Sequence, residues 1–307
     1  MRAFVFPGQG SQYPGMGKAL YESFAEARSV FEEADGVLGF SLSRLCFEGP
    51  QEELVLTENT QPALLATSVA TFRVLEKRGI LPDFVAGHSL GEYSALVAAG
   101  AISLSDALKV VRLRGQFMQD AVPVGVGAMA AVIGLALPVI SQLCEDVANG
   151  QVVAPANDNS PGQIVIAGHK EAVERASAEA KKQGAKLVKP LPVSAPFHCS
   201  LMKPAEERLR VVLEKTEFGE LRFPLVNNAE AKLVSDAEEA RSGLIRQVCA
   251  MVRWTGCTRL MAELGVNSFV EIGAGKVLSG LIRRTVKGLA VSNVENGKQV
   301  EEHVQLG

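Results

Sequence analysis

The sequence predicts an α/β protein: a large subdomain with a mostly parallel sheet, interrupted by a small ferredoxin-like subdomain. Three observations carry this expectation. Short apolar stretches alternate with helical periodicity from residue 3 to about residue 119, and the alternation resumes near residue 269. Between them, residues 125–194 read β-α-β-β-α-β. The 307 residues are 47% hydrophobic and 21% charged, which is apolar enough for a sizeable core and too apolar for a disordered chain.

The elements follow in order. Residues 3–6 form a short buried strand that stops at Pro7-Gly8. Residues 17–38 and 63–77 carry helical periodicity, the second stretch ending before Gly79. Residues 84–87 are a strand running into Gly87-His88-Ser89-Leu90-Gly91, and residues 90–99 are a helix ending at Gly100. Ser103-Leu104-Ser105-Asp106 is a helix cap, with its helix reaching about Gln119.

In the insert, residues 128–134, 151–156, 163–167 and 185–191 read as strands, and 138–147 and 170–183 as helices. Asn157-Asp158-Asn159-Ser160-Pro161-Gly162 reads as a turn. This places the small subdomain at 125–194, inside a large one of 1–124 and 195–307. Near the end come a strand at 269–272, a Gly273-Ala274-Gly275 turn and a helix at 277–287. The spacing around Lys276 is wrong for a phosphate-binding Walker loop.

Residues 121–143 carry no charge and could span a bilayer by length. Pro123, Gly125, Gly127, Gly134 and Pro138 favour a loop, a buried strand and a helix start instead. The apolar run at 3–6 is too short for a signal-peptide core. A net charge of -3 leaves no electrostatic footprint for nucleic acid. Cys46, Cys144, Cys199, Cys249 and Cys257 are odd in number and without a CxxC, which reads as reduced thiols of a cytoplasmic protein, with neither a disulfide framework nor a metal site.

Ser89 is the first candidate for chemistry. A strand, then G-x-S-x-G, then a helix is the context in which that weak pattern marks a nucleophile elbow. The turn would expose the serine oxygen at a helix N-terminus, where backbone N–H groups can stabilise an oxyanion. The alternative is an ordinary helix cap flanked by glycines. A serine nucleophile needs a base, and there are four histidines. His88 adjoins Ser89 on the turn and reads as a packed structural residue. His169 reads as a turn residue, and His303 lies in a polar tail expected to fray. His198 remains, where the chain returns from the small subdomain to the large one. By elimination it is the base, against the alternative of a satisfied core histidine. Cys199 has no strained turn of its own and reads as a small buried hydrophobe. No Asp or Glu is identifiable to orient His198, which leaves a backbone carbonyl as the candidate.

An ordered set of short motifs then becomes recognisable. Phe6-Pro7-Gly8-Gln9-Gly10-Ser11-Gln12, Thr60-Gln61-Pro62-Ala63, the Ser89 elbow, Leu113-Arg114-Gly115, Asn159-Ser160-Pro161-Gly162-Gln163 and Ala195-Pro196-Phe197-His198 occur in this order. Together they resemble the malonyl-CoA:acyl carrier protein transacylases of fatty-acid synthesis, from Phe4 to about Arg284. The resemblance implies a hydrolase-like large subdomain and a dyad of Ser89 and His198, with the Gln247 carbonyl orienting the histidine. It implies an oxyanion hole from the Gln9 and Leu90 N–H groups, with the glycines around Gln9 letting backbone approach substrate. Arg114 matches the arginine that holds the malonyl carboxylate, a task suited to a guanidinium fork. Without the resemblance, Arg112 and Arg114 are equal candidates, since residues two apart do not share a helix face. Phe197 resembles the malonyl-selecting form of its motif, and Gln61 matches a polar pocket residue. Met251 and Ala274 stand where the family usually has proline, and both are expected to be tolerated.

The activity so implied is a ping-pong transfer from malonyl-CoA to acyl carrier protein through a malonyl-serine ester, by a monomer without metal or other cofactor. The acidic carrier would meet a basic rim, from Arg283, Arg284 and Lys287 or from Lys181, Lys182, Lys186 and Lys189. A serine esterase or thioesterase would share the elbow but usually places its histidine late in the chain. A non-enzymatic carrier-binding module and a transferase of polyketide synthesis are the other readings.

Overall fold

The computed structural model describes residues 1–193 and 195–306. Residue 194, the last of the expected insert, lies outside the described residues. The strands are β1 (Arg2–Phe6), β2 (Phe84–Gly87), β3 (Gly127–Ile133), β4 (Val153–Ser160), β5 (Gln163–His169), β6 (Leu187–Pro190), β7 (Leu225–Val226), β8 (Leu233–Val234), β9 (Ser268–Ile272) and β10 (Ala290–Val294). They form a six-stranded sheet in the order β10-β9-β1-β2-β7-β8 and a four-stranded sheet in the order β4-β5-β3-β6.

In the large sheet every pairing is parallel except β7 with β8. A parallel strand covered by helices on both faces should be apolar, and after Arg2 at its start β1 is: Ala3, Phe4, Val5 and Phe6 are all fully buried. Successive side chains point to opposite faces. Phe4 and Phe6 therefore join one core with Leu64 and Phe72, while Ala3 and Val5 join another with Trp254 and Phe269. The small sheet is antiparallel throughout, with the strand order of the ferredoxin-like arrangement.

Several elements differ from the sequence expectation. The helix expected at 63–77 is Thr57–Glu76 and runs through Pro62. Proline has no N–H for the Glu58 carbonyl one turn back, and Arg112 Nη1 reaches that carbonyl at 3.5 Å. The single helix expected at 17–38 is two, Lys18–Ser23 and Ala25–Leu38, broken at an extended Phe24 whose ring lies under Arg78. The expected turn at 157–162 is strand as far as Ser160. Its polar residues tolerate that because their outer edge bonds the large subdomain. Val252 N donates to the Ala156 carbonyl and Asp158 N donates to the Val252 carbonyl, each at 2.9 Å. Thr255 Oγ1 reaches the Asp158 carboxylate at 2.8 Å.

The stretch 121–143 holds β3 and the start of a helix at Leu137–Val147. Among the described residues no helix is long and apolar enough to cross a membrane. The C-terminal stretch is not a frayed tail. It forms a helix, Gly297–Leu306, and His303 sits 2.9 Å from Ser292 Oγ and 2.8 Å from the Gln299 carbonyl.

Candidate active site

β2 ends at Gly87, and Ser89 follows in a left-handed conformation, φ 52°. A non-glycine residue pays strain there unless its surroundings hold it. His88 N donates to the Phe6 carbonyl at the end of β1, and Ser89 N donates to Asn228 Oδ1 at 2.7 Å. Asn228 Nδ2 donates back to the Gly87 carbonyl at 2.7 Å, so one side-chain amide clasps both sides of the turn. The flanking glycines permit the packing. A Cβ on Gly87 would strike Gly91 backbone, and one on Gly91 would strike the Phe6 carbonyl. Gly8 has a similar reason, since its Cβ would meet the His88 carbonyl. That glycine lets the N-terminal loop close on the elbow, a use different from the expected approach to substrate.

Ser89 Oγ lies 2.8 Å from His198 Nε2. His198 Nδ1 lies 2.9 Å from the Gln247 carbonyl oxygen. A carbonyl oxygen only accepts, so the proton sits on Nδ1 and Nε2 is left bare toward the serine hydroxyl. Burial, and then the Arg114 cation, push the His198 pKa down to about 3, against the Gln247 bond that raises it. The ring is therefore neutral at physiological pH and able to take a proton from Ser89.

Arg114 and Arg112 part company as helix geometry requires. Arg112 turns outward to Asn59 at 3.0 Å, over the Phe40 ring. Arg114 is 2% exposed. Its Nη1 donates to Gln61 Oε1 at 2.8 Å, and its Nη2 to Ser89 Oγ at 3.1 Å and Gln247 Oε1 at 3.0 Å. All these acceptors are neutral. Gly115 brings this about: a Cβ there would lie 2.7 Å from Glu58 Cα, so its absence lets helix Leu104–Asp120 cross helix Thr57–Glu76 closely enough for Arg114 to meet Gln61.

Gln9, Gln61, Ser89, Leu90, Arg114, Phe197 and His198 all line one cavity of about 110 Å³. Gln247 stands behind His198. Among the described residues, neither the Gln9 nor the Leu90 backbone N–H has a protein acceptor, so both are free to meet a developing oxyanion. The other histidines are occupied elsewhere. His88 Nε2 is 2.8 Å from Asn159 Oδ1, and His169 Nδ1 accepts from Val152 N at 2.9 Å. Cys199 Sγ donates to the Pro196 carbonyl, and burial raises its pKa to about 11, which leaves it a poor nucleophile.

A model of the acyl transferase domain family matches residues 3–302. The chain belongs to this family. Among acyl transferases of known name, it is 52% identical to the malonyl CoA-acyl carrier protein transacylase of Escherichia coli strain K12, over 305 residues covering 99% of both chains. It is 51% identical to the Bacillus subtilis strain 168 protein of the same name, over 95% of this chain and 94% of the other. Of solved structures, an acyl carrier protein S-malonyltransferase from Vibrio cholerae superposes with a TM-score of 0.97 at 50% identity, covering 98% of this chain and 99% of the other. A malonyl-transacylase in complex with its type II PKS acyl-carrier protein gives the same TM-score and identity, covering 100% and 99%.

Sequence reasoning missed several residues of this acyl transferase site. Asn228 and Glu92 belong to no pattern that marks a site. The family resemblance gives Gln247 a role by its carbonyl alone, yet its side chain bonds Ser89 O, Glu92 and Arg114. At Met251, among the described residues, the N–H donates to no backbone carbonyl, so a proline there would forfeit no such bond.

Proposed function

We propose that the chain moves a malonyl group from malonyl-CoA to the phosphopantetheine thiol of an acyl carrier protein, through an ester on Ser89. The observation that carries this reading is Arg114. A buried guanidinium with only neutral partners, 3.1 Å from the Ser89 oxygen, is matched to an acyl group bearing its own carboxylate. An esterase for neutral acyl groups has no use for such a cation.

The proposed steps make use of this geometry. His198 Nε2 takes the Ser89 proton as Oγ attacks the thioester carbonyl. The oxyanion rests on the Gln9 and Leu90 amides. The tetrahedral adduct collapses, the C–S bond breaks, and the CoA sulfur leaves with the proton held by His198. In the second half the carrier thiol gives its proton to His198 and attacks the ester, and Ser89 Oγ recovers the proton. Arg114 and Gln61 hold the malonyl carboxylate throughout, and Phe197 limits the room beside it. The proposed carrier is that of fatty-acid synthesis, and the acting form is a monomer.

Intact-protein mass spectrometry after mixing with malonyl-CoA tests the reading. A malonyl adduct is expected on the native chain, absent from Ser89→Ala, and discharged by carrier protein. Release of CoA and free malonate at the same rate without any thiol acceptor would make the chain a hydrolase.

A further inference from the structure

We propose that Glu92 is a positioning residue that locks the serine elbow to the histidine-orienting Gln247, through one carboxylate oxygen shared by Asn228 and Gln247. Glu92 sits in the first turn of helix Gly91–Ala98 and is fully buried. Its Oε2 accepts from Asn228 N at 2.8 Å and from Gln247 Nε2 at 3.0 Å. These two residues lie 136 and 155 positions further along the chain, so a single oxygen ties three distant segments together.

Each tied residue governs reacting groups. Asn228 holds Ser89 N and the Gly87 carbonyl by its side chain. Gln247 holds the Ser89 carbonyl at 3.1 Å, receives Arg114 Nη2, and orients His198 by its own carbonyl. Ser89 and His198 both stand in the left-handed region, φ 52° and 60°, where a non-glycine residue stays only if its neighbours over-determine it. Glu92 supplies that constraint to both at once.

A simple helix-terminus role does not account for the arrangement. Both described hydrogen bonds to the carboxylate come from outside its own helix. No described ion pair includes Glu92, so this carboxylate is kept in the interior against the desolvation cost that buried ions carry. Burial raises its pKa to about 7, and its second oxygen, Oε1, has no hydrogen-bond partner among the described residues. The proton can therefore come and go on Oε1 while Oε2 goes on accepting. A glutamine in place of Glu92 would present its carbonyl oxygen to the same two donors.

The test compares Glu92→Gln, Glu92→Asp and Glu92→Ala in the full chain. Read-outs are kcat and KM for malonyl-enzyme formation, melting temperature, and the proton resonance of His198 Nδ1–H. Glu92→Ala should lose about 100-fold in kcat with KM little changed, the scale of a misplaced reacting group, and its His198 resonance should shift or broaden. Glu92→Gln should keep the resonance and most of kcat. Glu92→Asp keeps the charge but draws the oxygen back by one carbon, and should behave like alanine.

A normal kcat in folded Glu92→Ala overturns the proposal. So does an active Glu92→Asp beside an inactive Glu92→Gln, which would give the role to charge instead of position. The inference rests on the dyad reading above, and the two fail separately: a native chain that takes no malonyl sinks that reading, while the resonance still reports whether Glu92 positions His198.

Discussion

Arg114 Nη2 and Ser89 Oγ are 3.1 Å apart, and every described hydrogen bond of that buried guanidinium ends on a neutral group. A charge removed from water without a counter-charge in direct contact is costly. On the proposed function, an acyl group carrying a carboxylate would supply that counter-charge at the moment of binding. Removing one member of such a buried pair costs about 3–5 kcal/mol. Arg114→Ala should therefore lower kcat/KM for malonyl-CoA by roughly 10²–10⁴, while acetyl-CoA is handled at least as well as before. Arg114→Lys should recover part of the loss, since it restores charge without the fork. Parallel kinetics with the two thioesters check this, and an equal loss on both would remove the clamp.

His198 makes a pH prediction. In the free protein its pKa is depressed to about 3 by burial and the Arg114 cation. As the proposed base it is thus ready across the usual range, and kcat/KM for acylation should show no acid limb near the ordinary histidine value of about 6.5. A bound malonyl carboxylate offsets the Arg114 charge, so the limb in kcat should lie above the limb in kcat/KM. Stability follows the same sign. The folded pKa is below the unfolded one, so the contribution is complete above about pH 6.5 and is lost as pH falls toward about 3. Melting curves of native protein and His198→Ala, compared between about pH 7 and about pH 4, should converge on acidification. A constant gap between them would contradict the depressed pKa.

The alternating pattern and the punctuating glycines make both subdomains legible, because burial imposes period on a sequence and turns impose glycine. The Ser89–His198 contact is legible for a different reason: of four histidines, only one falls in a plausible place. What escapes has no local signature. The Asn157-Asp158-Asn159 stretch has turn composition, and only its pairing with Val252 across the subdomain boundary makes it strand. The helix expected from 63 in fact begins at Thr57 and runs through Pro62, and Arg112 from another helix reaches the carbonyl that the proline leaves bare. Asn228 and Glu92 owe their importance to contacts between segments 136 and 139 residues apart in sequence. A one-dimensional pattern cannot hold that information.

The glycines sort into two kinds, and substitution should separate them. A Cβ on Gly91 would collide with the Phe6 carbonyl, a backbone atom that cannot swing aside. Gly91→Ala should lower stability by about 1–3 kcal/mol or more and disturb the Ser89 turn, with loss of the acyl adduct. At Gly36, inside helix Ala25–Leu38, an added Cβ would meet nothing within 4 Å. Gly36→Ala should raise stability by roughly 0.5–1 kcal/mol, because it lowers the entropy of the unfolded chain. Denaturant titrations of the two variants give the contrast directly, and a stable, active Gly91→Ala would show that the elbow packs more loosely than described.

On the proposed function, Phe197 is the remaining candidate for control over what the cavity accepts. It is 8% exposed and precedes His198, so its ring closes one side of the space beside the reacting atoms. The ring's position on the wall of this cavity of about 110 Å³, and not the total volume, is what would crowd an added methyl group. One methyl in an apolar pocket is worth about 1–3 kcal/mol of discrimination. Phe197→Ala should therefore improve methylmalonyl-CoA relative to malonyl-CoA by roughly 10-fold or more, with Phe197→Leu as a milder version that keeps more of the packing. Arg114 is untouched in these variants, so the demand for a free carboxylate should survive. Propionyl-CoA, which has the branch's bulk but no second acid, should remain a poor donor. Competition between the three thioesters, read as adduct masses on Ser89, separates the two determinants. If propionyl enters as readily as methylmalonyl, the ring was holding Arg114 in place, and size selection is not its role.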